Sequence, residues 1–144
     1  MCLVRQIAGQ KTRVQNNKKL LMLIKSLSAV EAFRAGDHTW LKEVIHPHKD
    51  AVDLPYSLAW ASLQSGEASL PHVLQSEELY LFLEGEGRFF QEKEERPVKK
   101  GDVLLVPAGT RQYLKNTGPG PLEFFCLVSP PWREEGEEVE RQSK

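Results

Sequence analysis

The chain has little of what a disulfide scaffold, a membrane span or a nucleic-acid binder needs. Its two cysteines, Cys2 and Cys126, are too few for a disulfide framework or a cysteine zinc site, and a reduced, cytoplasmic setting is the simpler reading. No window holds 18 apolar residues, so no segment reads as a membrane-spanning helix. A basic excess is also missing: 19 Lys and Arg against 20 Asp and Glu leave a net charge of −1, which argues against a nucleic-acid partner. No glycine-rich loop sits between a strand and a helix, as a phosphate-binding turn requires. What is present is ordinary for a globular domain. Apolar residues make up 40% of the 144 and charged residues 27%, which excludes a wholly disordered chain and suffices for one domain with its own core.

Charge is unevenly distributed. Residues 1–21 carry Arg5, Lys11, Arg13, Lys18 and Lys19 and no acid, leaving 14 basic and 20 acidic side chains in residues 22–144. The apolar run Leu20–Ile24 is too short for a signal peptide. Residues 1–21 are expected to be a disordered or start-site extension, with Met22 opening the folded domain over residues 22–131. Residues 132–144 are rich in acid and read as a solvated tail.

Short apolar runs between turn signals predict an all-β domain. Ser28 with Glu31 forms a capping-box pattern, and Gly36 would close a short helix. From Trp40 onward the runs Trp40–His46, Tyr56–Leu63, His72–Gln75, Leu79–Leu83, Arg88–Gln91, Val98–Lys100, Val103–Val106, Gln112–Asn116 and Leu122–Val128 read as strands. Turns such as Ser65-Gly66, Gly85-Glu86-Gly87, Gly101-Asp102 and Pro107-Ala108-Gly109 separate them. This spacing suggests a sandwich or small barrel, not alternating βα units.

Period-two alternation assigns faces. Glu78, Tyr80 and Phe82 share one face of their strand, and Leu79, Leu81 and Leu83 share the other. His72 and Leu74 share a face, as do Gln112, Leu114 and Asn116, and as do Tyr56, Leu58, Trp60 and Ser62. Polar groups from three strands, His72, Glu78 and Gln112, therefore converge on one cavity. Cys126 lies in an apolar strand and reads as an inert core thiol.

Gly66, five residues, His72, then Glu78, six residues and Gly85 resemble the first cupin motif, G-x5-H-x-H-x3,4-E-x6-G. Gly101, five residues, Pro107, one residue, Gly109 and later Asn116 resemble the second, G-x5-P-x-G-x2-H-x3-N. The resemblance covers about residues 38–130 and implies a double-stranded β-helix, the jelly-roll cupin barrel, with a short N-terminal helical turn. Cupins typically hold a divalent metal on three His and one Glu. Here His72 and Glu78 keep their places, Leu74 replaces the second His, and Gln112 replaces the third. The implied metal set is thus His72, Glu78 and Gln112, a weakened site for one Mn, Fe, Ni or Zn ion. Trp60, Leu74, Tyr80, Phe82 and Gln112 are expected to line a pocket for a small oxygenated ligand. Glu78 is the candidate general base if no metal binds. A homodimer packed through Leu79, Leu81 and Leu83, or through exchanged N-terminal strands, is expected. Three function classes stand at this point: a metal-dependent enzyme, a metal-free ligand-binding or sensory module, and a dimeric scaffold without catalysis.

Overall fold

The computed structural model describes residues 22–141; the basic segment 1–21 lies outside the described residues. Among the described residues, eleven strands form two antiparallel sheets. In chain order they are β1 (Phe33–Arg34), β2 (Trp40–Ile45), β3 (Ser57–Leu63), β4 (His72–Leu74), β5 (Glu77–Glu84), β6 (Glu86–Gln91), β7 (Glu94–Lys99), β8 (Val103–Val106), β9 (Arg111–Asn116), β10 (Leu122–Ser129) and β11 (Glu137–Val139). One sheet has the order β1-β2-β3-β10-β5-β8 and the other β11-β4-β9-β6-β7. Their inner faces enclose one core, with Ala61, Leu63, Tyr80, Phe82 and Phe124 from the first sheet and Phe89, Val98 and Leu114 from the second. This is the jelly-roll arrangement that the cupin resemblance implies, within the all-β class that the turn spacing suggests.

Local chemistry explains the strand ends. Pro47 lacks an N–H for the ladder, so β2 stops at Ile45 and a single helical turn, Pro47–Asp50, follows. Gly85 has φ +84°, and a Cβ there would lie 2.4 Å from the Pro121 carbonyl oxygen. Only glycine relieves both constraints in the β5–β6 hairpin. Gly87 was read as a second turn glycine, but it lies inside β6, where a Cβ would sit 2.4 Å from the Lys115 carbonyl oxygen of β9. The sheet can close at that point because the residue has no side chain.

Three segments differ from the sequence reading. Helical geometry near the N-terminus is confined to a turn of 3-10 helix at Leu27–Ala29 without a side-chain cap, and Phe33–Arg34 pairs with β2 instead of continuing a helix towards Gly36. The charged stretch Glu94–Arg96, between the expected runs Arg88–Gln91 and Val98–Lys100, belongs to β7, an edge strand whose side chains are exposed except for the buried Val98. The acidic C-terminal segment is not free over its central part. After a 3-10 turn at Glu134–Gly136, β11 pairs antiparallel with β4, Val139 opposite His72 and Glu137 opposite Leu74. That pairing satisfies the edge of β4 and lays the segment beside the cavity.

No helix among the described residues is long and apolar enough to cross a membrane. The outer face of the larger sheet is strongly apolar. Leu79 and Leu81 of β5 lie opposite Leu105 and Val103 of β8 and opposite Leu127 and Phe125 of β10. Val103 and Leu105 are 61% and 58% exposed.

Candidate functional site

A cavity of about 140 Å³ opens between the sheets on the side where β1, β2 and the C-terminal segment meet. Its floor is built by alternation. Glu78 and Tyr80 point inward from β5, Phe124, Cys126 and Val128 from β10, and His72 and Leu74 from β4. From β3 the small residues Ser57, Ala59 and Ala61 line the space, together with Leu58. Small side chains on this strand leave the room that the cavity occupies.

His72 and Gln112 are partners across β4 and β9, so two of the three polar groups that the alternation brings together are direct neighbours. His72 is 4% exposed, and its Nδ1–H donates to the Leu70 carbonyl at 2.8 Å. That bond places the proton on Nδ1 and leaves Nε2 with a free lone pair. Nε2 makes no hydrogen bond among the described residues.

Glu78, Tyr80 and Gln112 form a closed buried group. Tyr80 Oη lies 2.8 Å from Glu78 Oε1 and 2.6 Å from Gln112 Oε1, and Gln112 Nε2 donates to Glu78 Oε1 at 3.0 Å. The phenol has one proton and two oxygens to satisfy. A neutral Glu78 resolves the count, because its O–H donates to Tyr80 and Tyr80 then donates to Gln112. Burial raises the Glu78 carboxyl above its ordinary value of 4.5, while His72 and the bonds from Tyr80 and Gln112 pull it back. Burial, and then the charge of Glu78, push the Tyr80 phenol well above 10.0. The same two causes push the Cys126 thiol well above 9.0, so it is inert at neutral pH.

The structure adds two residues to the site that local sequence pattern did not point to. Asp37, in the β1–β2 turn, places Oδ2 4.0 Å from His72 Nδ1, and its Oδ1 accepts from the Thr39 backbone N–H at 3.1 Å and hydroxyl at 2.7 Å. Glu137, the first residue of β11, accepts from the Trp132 indole N–H at 2.6 Å. One ligating atom each from Asp37, His72 and Glu137 lies within 4.8 Å of the others. An imidazole with two carboxylates is a hard, mixed N/O donor set of the kind divalent ions accept. Both carboxylates are also fixed by outer hydrogen bonds, as metal-binding carboxylates usually are. The family pattern gives no signal for either position. In hindsight, Trp132 and Val139 are the apolar residues in the acidic segment that hint at docking.

The remaining residues singled out from the sequence divide plainly. Leu74 and Tyr80 line the cavity. Phe82 is 1% exposed and belongs to the core cluster below it. Trp60 does not line the cavity; it lies under the Lys42 ammonium, 5.3 Å from the ring centroid, on the outer side of the sheet. Gln112 is 1% exposed, and its oxygen is taken by Tyr80. His46 is 7% exposed and lines the cavity mouth, where its Nε2–H donates to the Trp132 carbonyl at 2.8 Å.

This fold and the two motif halves define a cupin. A model of the cupin domain matches residues 59–128, and the chain belongs to that family. It is 32% identical over 111 residues to an uncharacterized protein of Methanocaldococcus jannaschii, an alignment that covers 76% of this chain and 88% of that one. Among solved structures, it resembles a predicted oxalate decarboxylase from Thermotoga maritima with a TM-score of 0.66 and 23% identity, covering 76% of this chain and 99% of that one. It also resembles a Streptomyces Pac13 variant solved with uridine, with a TM-score of 0.67, 21% identity and coverage of 84% and 92%. Both structural likenesses concern the fold.

Proposed function

We propose that this cupin binds a small oxygenated molecule in its cavity, beside one divalent ion held by Asp37, His72 and Glu137. The observation that carries this reading is the convergence of one ligating atom from each of the three within 4.8 Å. Two carboxylates and one imidazole suit Mn(II) best among Mn, Fe, Ni and Zn. Such an ion would polarise a ligand oxygen as a Lewis acid. The chain's own residues do the rest. Glu78, whose carboxyl burial raises above its ordinary value, presents an acid–base group deep in the cavity, Tyr80 and Gln112 fix its orientation, and the apolar walls exclude water. A small molecule fits a family in which a neighbour is solved with uridine.

His72, Glu78 and Gln112 are a less favoured ion-binding set, because Tyr80 occupies the Gln112 oxygen and Glu78 is enclosed with both. The buried free thiol of Cys126 suits a reduced, cytoplasmic setting. The exposed apolar outer face of the larger sheet fits a homodimer.

The test is Mn(II) titration with elemental analysis. Parent protein should bind near one equivalent. His72→Ala should lose the ion while its circular dichroism stays unchanged, and Gln112→Leu, provided it remains folded, should retain it. Equal metal content in His72→Ala and parent would overturn the assignment.

A further inference from the structure

We infer that the cavity selects an uncharged, single-ring molecule bearing hydroxyl or carbonyl oxygens and discriminates against carboxylates. This deepens the proposal above and rests on the same cavity. Three observations carry it.

The first is charge. Asp37, Glu43 and Glu137 line the cavity together with the buried Glu78, and no lysine or arginine does so among the described residues, where the basic side chains on the wall are the imidazoles of His46 and His72. Proteins that bind small carboxylates place lysine or forked arginine donors against them, and this wall has neither. Lys49 pairs with Glu43, its Nζ 2.9 Å from Glu43 Oε1, but it is not among the lining residues. The two charges of a divalent ion on Asp37 and Glu137 would be balanced by those carboxylates, leaving no excess positive charge to draw in an anion.

The second is surface chemistry. Phe33, Tyr80, Phe124 and Trp132 supply aromatic faces, and Leu41 and Leu114 supply aliphatic ones. Phe33 and Trp132 remain 47% and 37% exposed at the mouth. Apolar walls with a few convergent polar groups favour a mostly apolar ligand oriented by one or two oxygens.

The third is size. A cavity of about 140 Å³ is close to one that admits a benzene-sized molecule. Its enclosed part takes a single ring.

Benzamide and benzoate test the charge term because they match in shape and differ in charge. Both are titrated by calorimetry into full-length protein, once with Mn(II) and once with a chelator. Benzamide should bind at least about tenfold more tightly than benzoate in both states, a difference that corresponds to about 1.4 kcal/mol. Glu43→Gln, which removes one wall charge outside the ion-binding set, should raise benzoate affinity several-fold and leave benzamide unchanged. Benzoate binding as tightly as benzamide would overturn the inference, as would failure of both to bind in either state. Oxalate binding to the Mn(II)-loaded protein more tightly than benzamide would overturn it too, while leaving the ion site intact. Conversely, a preference for benzamide in a protein that takes up no Mn(II) would sink the ion assignment and leave this inference standing.

Discussion

Trp132→Phe isolates the contribution of the C-terminal segment to the proposed ion site. The substitution keeps an aromatic ring at the cavity mouth and removes one interaction, the 2.6 Å hydrogen bond from the indole N–H to Glu137 Oε2. The backbone anchors of the segment do not involve the indole. They are Trp132 N–H to Ser57 Oγ at 2.9 Å, His46 Nε2–H to the Trp132 carbonyl at 2.8 Å, and the β4–β11 ladder. Loss of an outer partner of a metal ligand costs roughly 10- to 100-fold in affinity. Trp132 is 37% exposed, so water can replace part of the lost bond, and the expectation falls at the low end. The Mn(II) dissociation constant should rise about tenfold, or about 1.4 kcal/mol. Free Mn(II) measured by its electron paramagnetic resonance signal during titration reads this directly, and unfolding by urea checks that stability is kept. An unchanged dissociation constant in Trp132→Phe, with Glu137→Gln likewise unchanged, would refute the claim that this segment completes the site.

Two other expectations follow from the cavity floor and the outer sheet face. Burial raises the Glu78 pKa in the folded state above its ordinary 4.5, so below pH 4.5 the carboxyl is protonated in both states and costs nothing. As pH rises through 4.5 the unfolded chain releases its proton first, and parent protein should lose stability against Glu78→Gln until the folded-state value is passed. Urea midpoints of both proteins from pH 4 to 8, with chelator present, would show this; a parent that gains on the variant as pH rises contradicts it. On the outer face, Leu81 sits between Phe125 and Val103, so Leu81→Glu should convert a dimer to a folded monomer in light scattering. A parent protein that is already monomeric would end the dimer reading.

Much of the frame was legible because alternation and turn chemistry are local. Glu78, Tyr80 and Phe82 face inward as period two requires, with Leu79, Leu81 and Leu83 on the half-buried outer side. The pairing of His72 with Gln112 follows from the strands that the motif glycines delimit. Trp60 was assigned to the wrong face for a physical reason. On β3 the larger side chains Leu58 and Trp60 suggested an inward stripe, but Ala59 and Ala61 line the space and Trp60 does not. Asp37 and Glu137 were not legible at all. One is a turn residue 35 positions before His72 and the other lies in a run of acids, and only tertiary pairing brings them to the same imidazole. A charged segment is read as solvated unless something shows where it docks, and nothing within Glu134–Val139 announces β4 as its partner.

The pairing of β11 with β4 also orders the site along the chain. Asp37 and His72 come early, and β1 to β10 build the cavity walls except where Trp132 and Glu137 close them. Glu137 follows those ten strands, so a chain ending at residue 129 would keep an apolar pocket but carry only two of the three side chains proposed to hold the ion. A product that stops short of β11 would display the pocket without the group proposed to complete it.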